Sequence, residues 1–248
     1  MKQNKYDDPN FFSAYEQMPR SVKGLEGAGE WHIVKELIGD LKDKNVLDLG
    51  CGFGWHCRYA REQQARAVTG VDISKKMIER AREMTNDPAI SYIRASIEDI
   101  DFSDAQFDIV FSSLAFHYIQ SFQTICEKVY ECLVPGGSFV FSVEHPIFTS
   151  RNEQDWYYDD QGNRLHWPVD HYQSEGVRET NFLNESVTKY HRTISTYMND
   201  LISSGFMIKA VKESVPADDM LNDPEMKDET RRPMFLMIAA EKNIVDPS

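Results

Sequence analysis

At residues 46–54 the chain reads Val-Leu-Asp-Leu-Gly-Cys-Gly-Phe-Gly, an apolar run that breaks into three glycines within five positions. Such a segment predicts a strand ending in a tight turn, where backbone N–H groups can approach a ligand at the strand's carboxyl end. Short apolar runs and helical stretches alternate around it. Strands are expected at 45–50, 67–73, 90–95, 107–113 and 138–143. Ser74 is placed to cap a helix with Met77, Ile78, Ala81 and Met84 on one side. Phe122, Ile125, Val129 and Leu133 mark another, which stops at Pro135-Gly136-Gly137, and residues 29–41 hold helical spacing before the first strand. This alternation predicts an α/β fold, a mostly parallel sheet with helices on both faces.

Beyond residue 143 the rhythm breaks. Residues 144–187 show no clear periodicity, and so long an excursion predicts a lid or binding loop. The stretch 144–191 carries eight of the chain's 29 aromatic residues, among them Phe148, Trp156, Trp167, Phe182 and Tyr190. Such rings either wall off a reacting centre or form an ordinary satellite core. A helix is expected over 188–204, ended by Gly205, and 206–212 and 234–240 read as a closing pair of strands. The acidic stretch between them reads as a solvated face, and no metal site is expected there or elsewhere. The organisation is therefore an irregular N-terminal arm over 1–28 and one domain over 29–248, with a cap inserted at about 144–191.

Asp72, twenty residues past Gly52, closes the second expected strand, where a carboxylate can accept both hydrogen bonds of a ribose diol. Two features argue against a dinucleotide. The third fingerprint glycine would fall on Trp55, too bulky for close packing over a pyrophosphate, and Asp48 would repel a diphosphate while attracting an ammonium group. A nucleoside bearing a cationic amino acid fits better. Asp and Glu total 40 against 27 Lys and Arg, and the net charge of −13 makes nucleic acid a poor partner. No apolar run is long enough to span a bilayer, and membrane association is not expected. Cys51, Cys57, Cys126 and Cys132 lack metal or redox-pair spacing and the N-terminus lacks a signal segment, so a cytoplasmic location is expected.

The segments VLDLGCGFG at 46–54, VTGVDIS at 68–74, SIEDIDFSDAQFDIVFSSLAFHYI at 96–119 and LVPGGSFVFSVEHP at 133–146 resemble the class I S-adenosylmethionine-dependent methyltransferases. Together with the expected closing pair of strands, these segments span about four fifths of the chain. The resemblance implies a Rossmann-like seven-stranded sheet with an antiparallel last strand and a cap after strand five. The implied cofactor is S-adenosylmethionine, leaving as S-adenosylhomocysteine. The glycine loop, Asp48, Gly50, Cys51 and Gly52, would hold the methionine part, Asp72 the ribose, and Ile73 the adenine. Ser96, Ile97 and Glu98 would face the adenine edge, with Met77, Ser113 and Leu114 completing the site. Ser96 stands where the family often has Asp. On the arm, Tyr15 and Arg20 would fold over the cofactor, with Arg20 on its carboxylate.

The implied reaction is in-line transfer of a methyl group to a small-molecule acceptor. Any proton to be removed points to histidine. His117, just past the fourth strand, is the first catalytic candidate and His145, at the end of the fifth, the second; each could instead serve only to hold its loop. His191 is expected on an exposed helix face. Two other readings stay open at this level: an NAD-dependent oxidoreductase and an inactive cofactor-binding module. The sequence leaves the oligomeric state open.

Overall fold

The computed structural model describes residues 3–222 and 224–244. The arm, expected to be irregular, is largely helical. α1 (Pro9–Glu16) opens on a proline suited to a first turn, and Asp8 caps it by accepting from the amides of Asn10 and Phe11. α2 (Pro19–Val22) follows, and α3 (Trp31–Ile38) ends at Gly39 with φ +70°.

The regular alternation then runs β1 (Asn45–Leu49), α4 (Trp55–Glu62), β2 (Ala67–Asp72), α5 (Lys75–Glu83), β3 (Ile90–Arg94), β4 (Phe107–Ser113), α6 (Phe122–Cys132) and β5 (Leu133–Glu144). Ser74 caps α5 through the amide of Met77, as expected. Leu133, expected on α6, instead begins β5, because the chain is already extended there and Leu133 pairs with Phe107.

The excursion after β5 is more ordered than its lack of periodicity predicts. α7 (Pro146–Thr149) is followed by a hairpin of β6 (Tyr157–Tyr158) with β7 (Arg164–His166), and a longer hairpin of β8 (Gly176–Phe182) with β9 (Glu185–His191). The helix expected over 188–204 starts only at α8 (Ile194–Ser203). Residues 187–191 alternate instead with period two: Val187, Lys189 and His191 are buried while Thr188 and Tyr190 are half-buried, which is strand behaviour. Thr193 then caps α8 through the amide of Thr196. Gly205, at φ +93°, leads into β10 (Phe206–Glu213), and after the short α9 (Pro224–Glu229) the chain ends in β11 (Phe235–Lys242).

Seven strands form one sheet in the order β10-β11-β5-β4-β1-β2-β3. β1 to β5 pair in parallel, and β11 runs antiparallel between β5 and β10. Leu47, Leu49, Phe139 and Phe141 face α6 and α8 on one side, while Val46, Phe111 and Val140 face α3 and α4 on the other. The strand order reverses at β1, so the crevice between β1 and β4 at their carboxyl ends is the switch point where open α/β sheets place ligands.

Candidate active site

The turn after β1 is left-handed at Gly50 and Gly52, with φ +82° and +50°. A side chain at Gly50 would put its Cβ 2.5 Å from Cβ of Ala115, whereas at Gly52 it would meet nothing within 4 Å. The turn is thus closed on one side and open to a ligand on the other. The amides of Gly50 and Cys51 both donate to the Val71 carbonyl, tying the turn to β2. At the end of β2, Asp72 accepts from the Gly52 amide at 3.0 Å and the Ser74 amide at 2.8 Å. Burial raises its pKa to about 6, against those two bonds, which favour the ionised form.

These groups line a cleft of about 750 Å³. Of the residues singled out from sequence, Tyr15, Arg20, Gly50, Gly52, Asp72, Ile73, Met77, Ser96, Ile97, Glu98, Ser113, Leu114 and His117 lie on its wall. Leu114, at φ +53°, gives its amide to the Ser142 carbonyl and hydroxyl, and Ser96 caps the turn carrying Ile97 and Glu98. Arg20 uses one terminal nitrogen to bridge both carboxylate oxygens of buried Glu30, each at 3.2 Å.

Three expected residues are elsewhere. Asp48 does not face the cleft: the pleat of β1 sends Leu47 and Leu49 to one face and Asp48 to the other, beneath α4. There one oxygen accepts from the Cys57 thiol at 3.3 Å and the other has no partner among the described residues; burial raises its pKa to about 7. Cys51 also points inward, against Gly70 and Cys57, and burial pushes its thiol well up. His145 is wholly buried, with Nδ1 accepting from the Ile147 amide as the cap of α7 and Nε2 against Glu213 at 2.9 Å, so both ring nitrogens are engaged away from the cleft. His191, expected to be exposed on a helix, is buried on β9 between Thr149 and the Tyr172 carbonyl.

His117 lines the cleft and is 2% exposed. Burial lowers its pKa to about 4, Lys189, Arg192 and Arg20 adding to the effect and Glu144 opposing it. Its Nδ1 accepts from the Glu144 amide at 3.4 Å. That contact fixes the neutral ring with its proton on Nε2.

The cap's aromatic residues divide. Phe148, Phe182 and Tyr190 reach the cleft, whereas Trp156 and Trp167, with Phe148, enclose the Arg232 guanidinium at 4.0 to 5.3 Å as a satellite core. Among the cleft residues that sequence reasoning missed are Tyr6, Glu144, Gln154 and Lys189. Glu144 could have been found as the last residue of β5 on the ligand edge. Lys189 was hidden by the helical reading of β9.

A methyltransferase-domain family model matches residues 47–141. An uncharacterized protein of Haemophilus influenzae is 34% identical over 244 residues, 96% of each chain. Among solved structures, a candidate S-adenosylmethionine-dependent methyltransferase of Listeria monocytogenes is similar at TM-score 0.85 and 52% identity, over 89% of this chain and 99% of that one. One from Mesorhizobium loti gives TM-score 0.84 and 42% identity, over 88% of this chain and 100% of the other. Strand order, glycine turn and these likenesses agree, and the chain belongs to the class I S-adenosylmethionine-dependent methyltransferases.

Proposed function

We propose that the protein transfers the methyl group of S-adenosylmethionine to a small-molecule acceptor held between the sheet edge and the cap. One observation carries this reading: a single cleft joins the Gly50, Gly52 and Asp72 wall to a second wall built by β5, β9 and the arm. The first wall fits the cofactor, since Gly52 leaves open space where a side chain would stand and Asp72 is oriented by two amides while keeping lone pairs for a diol. Ile73, Met77 and Ile97 would flank the adenine, Ser96 and Glu98 its edge, and Leu114 and Gly50 the methionine chain. Arg20 keeps guanidinium N–H groups beyond those on Glu30 for a carboxylate. Asp48 lies beneath the turn and, with a pKa of about 7, is only partly ionised at neutral pH, so it adds a partial negative field rather than a contact.

The cofactor supplies a methyl group already activated on a sulfonium. The protein's part is placement and dryness, and oriented reactants can recover roughly 7–11 kcal/mol of barrier. Tyr6, Phe11 and Tyr15 of the arm and Phe148 and Phe182 of the cap would exclude water. His117, neutral and with Nδ1 engaged, offers a donor at Nε2 to the acceptor; the role of base expected for a histidine there is not favoured by this ring state.

Parallel incubations with methyl-tritiated S-adenosylmethionine and a low-molecular-mass metabolite extract, a protein extract or nucleic acid test the reading. Label is expected in a small-molecule product that separates from the donor. Label confined to added protein or nucleic acid would overturn it.

A further inference from the structure

At the acceptor end of the cleft lies a closed polar ring for which neither fold nor cofactor accounts. Lys189 on β9 donates to Glu144 at 2.6 Å and to the Gln154 carbonyl oxygen at 2.9 Å, and the Gln154 amide donates to the other Glu144 oxygen at 3.0 Å. The lysine and glutamate side chains are only 2% and 14% exposed. A buried ion pair recovers little more than its own desolvation, so stability alone gives poor reason to keep one. All three residues line the cleft, as does His117, whose Nδ1 takes the Glu144 amide.

Among the described residues, three donors of this group have no hydrogen-bond acceptor. Lys189 has spent two of its three N–H groups, Gln154 one of two, and His117 retains Nε2–H. Each Glu144 oxygen already accepts one bond, from the Lys189 ammonium or the Gln154 amide. The charge balance points the same way. Lys189 and Arg192 stand near His117 against Glu144, with Arg20 matched by Glu30 and Arg192 also acting on the Asp200 carboxylate. Arg192 gives its hydrogen bonds to the carbonyls of Ile119, Gln120 and Tyr190, not to a carboxylate. An ammonium group entering this end would meet like charge, and a bound sulfonium adds to it. Phe148, Phe182, Met234 and Phe235 offer apolar walls beyond the ring.

We infer that the acceptor is a carboxylic acid with an apolar body, its carboxylate held by Lys189, Gln154 and the Nε2–H of His117. Glu144 then serves as the internal counter-charge that keeps Lys189 in place before the acceptor arrives. The inference rests on the methyl-transfer reading above.

Calorimetry on protein saturated with S-adenosylhomocysteine tests it with three ligands that share one tail: phenylpropionate, phenylpropylamine and phenylpropanol. The acid is expected to bind roughly tenfold more tightly than the amine or the alcohol. That preference should vanish in the double variant Lys189→Met, Glu144→Gln, which leaves no unpaired buried charge, while affinity for S-adenosylhomocysteine stays the same. If that variant does not fold, His117→Asn carries the test, with the preference falling several-fold. No binding of the acid, equal binding of the amine or alcohol, or a preference that survives substitution would each overturn the inference. Failure of the wild type to bind S-adenosylhomocysteine would instead remove the methyl-transfer reading beneath it.

Discussion

Asp72 and Asp48 are both buried carboxyl groups with raised pKa values, yet they answer to pH in different observables. If ionised Asp72 accepts the ribose hydroxyls, affinity for S-adenosylhomocysteine will hold above about pH 7 and fall as pH drops through about 6, approaching tenfold per unit below it. Calorimetry across that range checks it, and a flat profile would contradict the assignment. Asp48 bears on stability. Its folded pKa, about 7, lies above the ordinary carboxyl value, so the native state holds its proton longer than the unfolded chain, and stability falls as pH rises between those values. Asp48→Asn should therefore match wild type near pH 4 and exceed it by roughly 1–4 kcal/mol near pH 8. Thermal melts at the two pH values decide. Gly50→Ala should destabilise by roughly 2–4 kcal/mol in denaturant unfolding, because it combines a left-handed backbone with a 2.5 Å approach to Ala115. Gly50, Gly52 and Asp72 were legible in the sequence because strand, turn and acid lie within one βαβ unit. The direction of Asp48 was not drawn from it, although Leu47 and Leu49 on either side already imply that the residue between them faces the opposite way.

Among the elements, those with a period to read were found to within a few residues, and those shaped by long-range contacts were not. The arm is ordered by groups far away in sequence. Asp7 accepts from the Ser74 hydroxyl and the Lys76 amide, Gln3 takes the Thr188 amide, and Phe11 packs on Phe182. Through these contacts α1 closes one side of the cleft against α5 and the β8–β9 hairpin. Asp7→Ala should speed amide hydrogen exchange over residues 9–16 and weaken S-adenosylhomocysteine binding several-fold, with little change in global melting. Unchanged exchange there would show that the arm is held by other means. β9 was misread because Thr193 and the apolar residues of α8 extend a helical pattern backward across it. Only its pairing with β8 and the inward turn of Lys189 reveal the strand.

For the molecule as a whole, the sheet order fixes where chemistry can occur, and the cap and arm decide what reaches it. The sheet was legible because each βα unit buries its own apolar runs. The acceptor wall was not, since Glu144, Gln154 and Lys189 come from three separate segments that meet only in the fold. The cofactor claim underlies everything else, and calorimetric titration of S-adenosylhomocysteine into wild type and Asp72→Ala tests it most directly. The account predicts one saturable site per chain in the wild type at micromolar ligand, and a loss of roughly a hundredfold, about 3 kcal/mol, in the variant. Absence of saturable heat in the wild type at millimolar ligand, or equal affinity in the two proteins, would contradict it.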